Sequence, residues 1–202
     1  MPTRHALRKQ MRQRRQSLSP RQQREASHQL VERFTTLAHY ERSEHIALYL
    51  TNDGELDTHP LIETLWQHNK SVYLPVLHPF AKGHLLFLRY QPDTPMTINR
   101  YGILEPQLRV DLVQPVRELD LIGTPLVAFD AKGQRLGMGG GYYDRTLAMT
   151  FSSSQPDALS ASGPITMGLA HDCQEVSQLP VESWDVPLSK IVTPTRIITG
   201  DK

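Results

Sequence analysis

Apolar side chains along the chain keep two different periods. Up to about residue 40 they recur at helical spacing, and beyond it they fall into short runs. Leu7 and Met11, four apart, mark a helix from about Thr3 to Gln16 whose apolar stripe is thin. Ser19-Pro-Arg-Gln22 supplies a Ser cap, a Pro at the first helical position and a Gln three after the cap, which together start a second helix. Ala26, Leu30, Val31, Phe34 and Leu37 form its buried face, and it is expected to run to about His39. The later runs cover residues 45–50, 71–77, 85–90, 119–129, 165–170, 191–193 and 196–199. Runs apolar on consecutive positions are what strands covered on both faces require.

The connections are legible in the same way. Thr51-Asn-Asp-Gly-Glu55 reads as a loop, Asp57 as a helix-start residue, and Thr58 as a cap for a helix from about His59 to His68. Pro75 suggests a strand end or an edge, and Lys82-Gly83 a turn. The stretch 119–129 holds two apolar clusters around Gly123-Thr-Pro125, and a central strand is expected at its end. Residues 151–164, rich in Ser and Pro, are expected to form a mobile surface loop. The fold class that follows is α/β: residues 1–202 as a single domain, a mostly parallel central sheet flanked by helices, with an N-terminal helical pair over residues 1–40.

A hydrophobic fraction of 39% with 21% charged residues is ordinary for a globular protein, and no segment reaches bilayer-spanning apolar length. Met1-Pro-Thr-Arg-His lacks the apolar core of a signal peptide, so a cytoplasmic location is expected. The single Cys173 excludes an intramolecular disulfide and is expected to be a small packing residue. Without C-x-x-C or H-E-x-x-H there is no case for zinc. The net charge of +1 conceals an asymmetry: Arg4, Arg8, Lys9, Arg12, Arg14, Arg15, Arg21 and Arg24 all precede the first acidic residue, Glu25. A solvated helix face is one explanation and a meeting with something anionic is another. No nucleic-acid recognition motif accompanies the basic cluster, so nucleic acid is not an expected partner.

The candidate chemistry centres on Gly133-Gln-Arg-Leu-Gly-Met-Gly-Gly-Gly-Tyr-Tyr-Asp-Arg145. Gly137, Gly139, Gly140 and Gly141 allow positive φ and close approach of backbone amides, and a helix beginning near Tyr142 would add its positive end. A flexible surface loop is the plainer alternative; a phosphate cradle, with Arg135 and Arg145 beside it, is the sharper one. Neither G-x-x-x-x-G-K-[ST] nor G-x-G-x-x-G occurs. In an open α/β sheet the loop 51–55 lies where a substrate would bind. Asp130 suits a turn, and His171 either a general base or a hydrogen-bonding structural role.

Thr124-Pro-Leu-Val-Ala-Phe-Asp-Ala-Lys-Gly-Gln-Arg-Leu-Gly-Met-Gly-Gly-Gly-Tyr-Tyr-Asp-Arg145 closely resembles the signature of the 5-formyltetrahydrofolate cyclo-ligase family, also called methenyltetrahydrofolate synthetases. The resemblance extends to Ile46-Ala-Leu-Tyr-Leu through Gly54-Glu-Leu-Asp-Thr58, to Val72-Tyr-Leu-Pro-Val76, to Leu179-Pro-Val-Glu-Ser-Trp-Asp185 and to Ile191-Val-Thr193. It implies ATP-dependent cyclisation of 5-formyltetrahydrofolate to 5,10-methenyltetrahydrofolate, through phosphorylation of the formyl oxygen, with ATP as co-substrate and Mg2+ as cofactor. By the same resemblance Arg4, Arg8, Arg135, Leu136, Gly137, Met138, Gly139, Gly140, Gly141, Tyr142 and Tyr143 bind the nucleotide, and Arg135 and Tyr142 are catalytic. Leu50, Glu55, Tyr101, Met138 and Tyr142 bind the folate, with Tyr101 in the loop Asn99-Arg-Tyr-Gly-Ile-Leu-Glu-Pro106. Asp144 and Asp185 hold the metal. A monomer is expected, with no membrane partner. Met138 and Gly140 stand where many members carry basic residues, and Trp184 and Ser189 replace a His and an Asp often seen beside Asp185. The rival functions are a phosphate-binding isomerase or acyl-transfer enzyme on a related scaffold, and a nonenzymatic nucleic-acid binder using the basic N-terminus.

Overall fold

The computed structural model describes residues 2–151, 163–182, 184–186 and 188–200. Helices α1 (Arg4–Gln16) and α2 (Pro20–Thr35) precede β1 (His45–Ala47), and α3 (His59–Gln67) leads to β2 (Ser71–Leu77) and β3 (Leu85–Tyr90). A small hairpin of β4 (Met96–Ile98) and β5 (Leu104–Pro106) follows, then β6 (Val113–Gln114) and β7 (Leu121–Pro125). A second hairpin, β8 (Ala128–Phe129) with β9 (Arg135–Leu136), leads into α4 (Tyr142–Phe151), β10 (Ile165–Leu169), β11 (Lys190–Val192) and β12 (Ile197–Thr199). The expected loop at 151–164 falls largely outside the described residues.

One sheet takes eight of these strands in the order β12-β11-β10-β7-β1-β2-β3-β6. Strands β11, β10, β7, β1 and β2 are mutually parallel, and β12, β3 and β6 join antiparallel at the two margins. The chain passes from β1 to β2 on one side and later returns to β7 on the other. That reversal makes a crevice beyond the carboxyl ends of β1 and β7, the place where open α/β sheets hold ligands.

Strand alternation explains why both odd and even positions are apolar. Ile46, Leu48, Val72, Leu74, Leu121 and Met167 pack with Leu30 and Phe34 of α2 and Leu61, Ile62 and Leu65 of α3. Ala47, Tyr73 and Ile122 turn to the opposite face, against Phe87, Leu119 and Leu147 of α4. Each Val, Leu, Ile, Phe or Met side chain fully buried here stabilises by about 1.5–3 kcal/mol. The thin stripe of α1 finds a small partner of its own: Leu7 and Met11 pack against Val127, Ala128, Leu136 and Leu179, on and beside the β8–β9 hairpin. Among the described residues no helix is long and apolar enough to cross a membrane.

The Ser19 capping box forms as expected, with Gln22 N donating to Ser19 Oγ (3.3 Å) and Ser19 N to Gln22 Oε1 (2.8 Å). Four local expectations are corrected. Helix α2 ends at Thr35 rather than near His39. The Thr36 hydroxyl donates to the Arg33 carbonyl at 2.8 Å, and the turns that follow bring Tyr40 edge-on to Phe34. Thr58 stands at the N-cap position of α3 but its side chain makes no capping bond: its hydroxyl donates to the Tyr49 carbonyl, and Asp57 Oδ1 accepts from His59 N at 3.0 Å instead. Pro75 lies inside β2, which is neither an edge nor finished there. Pairing with β1 ends at Tyr73, whose carbonyl accepts from Leu48 N, so residue 75 would aim an N–H at a flank from which β1 has gone. Finally, the central strand β7 occupies the start of 119–129, and a separate hairpin stands between it and the glycines.

Candidate active site

The crevice is a cleft of about 1010 Å³, counted out to its open mouth. Tyr49, Leu50 and Glu55 contribute one wall from the end of β1 and its following loop, and Leu74 and Pro75 of β2 continue it. Arg135, Gly137, Met138 and residues 140–144 supply the opposite wall, and Tyr101, Ile103 and Leu104 from the β4–β5 hairpin stand at the rim.

The glycine segment lies between β9 and α4. Gly139 (φ +104°) and Gly141 (φ +64°) are left-handed, with Gly140 between them. This alternation is the geometry from which backbone anion nests are made, and α4 brings its unpaired N–H groups to the same spot. Arg8 reaches across from α1, its Nε donating to the Gly137 carbonyl at 2.8 Å. Burial and the neighbouring Arg4 charge lower the pKa of Arg8, so an incoming anion would stabilise its cation. Arg145 donates to the carbonyls of Gly140 and, at 3.0 Å, Gly83. Leu136 is a core residue, 1% exposed, and can offer a ligand only its main chain.

Beside the loop, two ion pairs lie in contact. Arg135 Nη2 donates to Asp144 Oδ1 at 2.5 Å, and Arg4 grips both oxygens of Asp185 at 2.6 and 3.0 Å. Val186 N points at Asp144 Oδ1 (3.4 Å), which joins the two pairs. Burial acts to raise Asp185, but Arg4 and the Glu182 amide hold it below the usual carboxylate range. Arg135 Nε is buried without a partner. Among the described residues no group of three or more His, Cys, Asp or Glu side chains could form a metal cage. The donor set suits a cation that arrives with phosphate oxygens and takes Asp144, whose Oδ2 is not used by Arg135, because magnesium commonly binds one or two carboxylates plus substrate phosphates. Asp185 has both oxygens engaged by Arg4.

On the facing wall Glu55 is 6% exposed, and burial pushes its pKa up to about 7 against the Arg15 charge and the Asn52 amide (3.2 Å). Tyr143 lines the same cleft with its hydroxyl buried and unpartnered, and burial raises its pKa. The Tyr142 hydroxyl meets Tyr101 Oη at 2.7 Å and Arg100 at 2.6 Å, contacts that lower its pKa. Tyr101 is 56% exposed and its ring meets Tyr142 edge-on. Leu50 is half-buried and Met138 is 47% exposed, both on the cleft. Of the expected site residues, Leu50, Glu55, Tyr101, Arg135, Gly137, Met138, Gly140, Gly141, Tyr142, Tyr143 and Asp144 line this one cleft, whereas Arg4, Arg8, Leu136, Gly139 and Asp185 do not, Arg4 being turned to Asp185 and Arg8 to the Gly137 carbonyl.

Other expectations resolve away from the cleft. Asp130 accepts backbone amides from Lys132, Gln134 and Leu179 and closes the β8–β9 turn. His171 is buried, does not line the cleft, and is pushed down to about 4 by burial and Arg15, with Nε2 unpartnered. Cys173 is half-buried and its thiol is pushed up by burial. Sequence reasoning overlooked Arg15 and Asp53, which are ion-paired beneath the Glu55 loop. A signal existed: Leu7, Met11 and Arg15 follow each other at four-residue steps on one helix face, so Arg15 continues the buried stripe.

Comparison with known proteins supplies the rest. Residues 1–194 match the family model described as the 5-formyltetrahydrofolate cyclo-ligase family. The Escherichia coli (strain K12) protein named 5-formyltetrahydrofolate cyclo-ligase is 50% identical over 188 residues, 93% of this chain and 98% of its own. Its namesake from Haemophilus influenzae is 50% identical over 189 residues, covering 94% and 96%. Among solved structures, Aquifex aeolicus 5,10-methenyltetrahydrofolate synthetase aligns with a TM-score of 0.79 at 28% identity over 97% of this chain and 92% of that one. A Mycoplasma pneumoniae 5,10-methenyltetrahydrofolate synthetase shares the fold at a TM-score of 0.70 and 24% identity, covering 96% and 99%. With a family match over nearly its whole length and half its residues identical to named members, the chain belongs to the 5-formyltetrahydrofolate cyclo-ligase family.

Proposed function

We propose that the chain catalyses ATP-dependent closure of 5-formyltetrahydrofolate to 5,10-methenyltetrahydrofolate, releasing ADP and phosphate. The observation that carries this, beside the family, is a single cleft with an arginine-framed glycine nest on one wall and a buried carboxylate, Glu55, on the other. The chemistry asks for that pairing. A formyl group on a ring nitrogen is an amide, with a poorly electrophilic carbon and an oxygen that leaves badly. Transfer of the γ-phosphoryl group to that oxygen makes the leaving group phosphate and the carbon iminium-like, and N10 then closes the ring as phosphate departs. No side-chain nucleophile is required; the protein has to align two ligands and stabilise moving charge.

The backbone from Gly137 to Gly141, the start of α4, Arg8 and Arg135 would hold the polyphosphate. Arg4 reaches the site through Asp185, so its role is to fix that acid beside Asp144. Magnesium, if bound with the nucleotide, would neutralise charge on its phosphate oxygens, and Asp144 would hold it. Glu55 suits the pterin edge, whose N–H donors a carboxylate accepts in pairs. Tyr142 and Tyr101 at the rim, with Leu50 and Met138, would face the rest of the folate.

Protein mixed with 5-formyltetrahydrofolate and Mg-ATP is expected to develop the near-ultraviolet absorbance of the methenyl product, and none without ATP. Equal product without ATP would overturn the mechanism. The basic N-terminus offers little support for the nucleic-acid alternative. Arg4, Arg8, Arg12, Arg14 and Arg15 are turned onto Asp185, Gly137, Asp53 and Cys173 of the protein itself.

A further inference from the structure

Helix α1 touches both walls of the cleft. On one side Arg8 donates to the Gly137 carbonyl of the glycine segment, while Leu7 and Met11 pack beside the β8–β9 hairpin that precedes it. The last turn of α1 holds the other wall, at the loop that carries Glu55. Arg15, fully buried, donates from Nε to the Asp53 carbonyl (2.8 Å) and from Nη2 to Asp53 Oδ2 (2.9 Å). Arg12 adds a bond to Oδ2 at 2.6 Å, and Gln16 binds Oδ1. Asp53 thus meets three side chains of one helix. Gly54 packs directly on that helix, since a Cβ there would lie 3.4 Å from the Arg15 carbonyl oxygen.

The loop needs such support. Asp53 (φ +52°) and Gly54 (φ +72°) are consecutive left-handed residues, and a non-glycine in that region persists only where its surroundings hold it. Glu55 follows immediately, its amide donating to the Asn52 carbonyl (3.0 Å) and its carbonyl accepting from Thr51 Oγ1 (2.8 Å). Arg12, Arg15, Gln16 and Asp53 do not line the cleft, so any effect on a ligand passes through Glu55.

We infer that buried Arg15 and partly buried Asp53 form a clamp, built by the N-terminal helix, that fixes the Glu55 loop and thereby sets affinity for the folate without affecting the nucleotide. They are positioning residues, and the folate half of the inference rests on the function proposed above. The groups around Glu55 accord with this: Arg15 opposes the effect of burial on its carboxyl, Asp53 adds to it, and Tyr49, Tyr143 and His171 are neutral neighbours near pH 7.

Asp53→Asn tests the clamp with little change of volume. The expected result is a rise of about tenfold or more in KM for 5-formyltetrahydrofolate, the scale of a lost charged hydrogen bond, with KM for ATP within about twofold. Asp53→Glu should recover part of the loss. Hydrogen exchange should quicken across residues 52–56 while β1 and β2 keep their protection. Arg15→Lys, which keeps the charge and loses the fork, should raise the folate KM in the same direction. An unchanged folate KM, or equal rises for both substrates, would overturn the inference. A wild-type protein without turnover would overturn the function and the folate half together, and the exchange measurement would still decide whether the clamp holds the loop.

Discussion

Glu55 sits near its own midpoint at neutral pH, with a pKa of about 7 instead of the ordinary 4.5. If its ionised form accepts from the pterin, KM for the folate should climb as pH falls below about 7. Glu55→Gln should raise that KM by about tenfold or more and flatten its pH dependence, leaving KM for ATP in place. The same shift affects stability with a definite sign. A carboxyl whose folded pKa is raised contributes stability that is full below pH 4.5 and lost as pH rises through 7. Glu55→Gln is therefore expected to be more stable than wild type at pH 8, by up to about 3 kcal/mol, with the gap closing toward pH 4.5 in urea melts. Across the cleft, Asp144→Asn should raise the magnesium needed for half-maximal rate by about tenfold; an unchanged metal titration would remove Asp144 as the ligand. At this scale the residue types were readable from sequence, because carboxylates and arginines beside a glycine run restrict the chemistry. Which arginine meets which acid was not, since Arg4 and Asp185 lie at opposite ends of the chain.

The glycine segment and α1 act as elements. Gly139→Ala would place a side chain at φ +104°, with its Cβ 3.4 Å from the Arg8 guanidinium carbon. A loss of about 1–3 kcal/mol of stability together with a higher KM for ATP is expected. Gly137 has no left-handed φ, and a Cβ there would meet nothing within 4 Å, so Gly137→Ala should melt close to wild type. If the Gly137 variant nonetheless loses ATP affinity, its methyl group occupies space the phosphates need. Helix starts at Ser19 and near Tyr142 could be read locally because caps and glycines act within a few residues. The end of α2 and the placement of Pro75 could not, because each depends on a distant partner: the core position of Tyr40 and the departure of β1.

For the whole molecule, acid stability should depend on His171, packed where the end of β10 meets the loop beneath α1. Its pKa of about 4, below the ordinary 6.5, means a contribution present above pH 6.5 and lost as pH falls through 4. Wild type is expected to lose up to about 3 kcal/mol over that window from this group, and His171→Gln to show a shallower acid limb in urea unfolding. Equal slopes in the two proteins would assign the acid loss to other groups. The chain's periodicity, caps and turn residues were enough to determine an α/β fold with a helical pair in front and a glycine run ahead of a helix, because those signals are set by neighbours a few residues apart. Strand order and ion pairing were decided only in three dimensions. Leu7 and Met11 could equally have packed elsewhere; docked beside the β8–β9 hairpin, they bring α1 to both walls of the cleft, and no local rule contains the distance between residues more than a hundred positions apart.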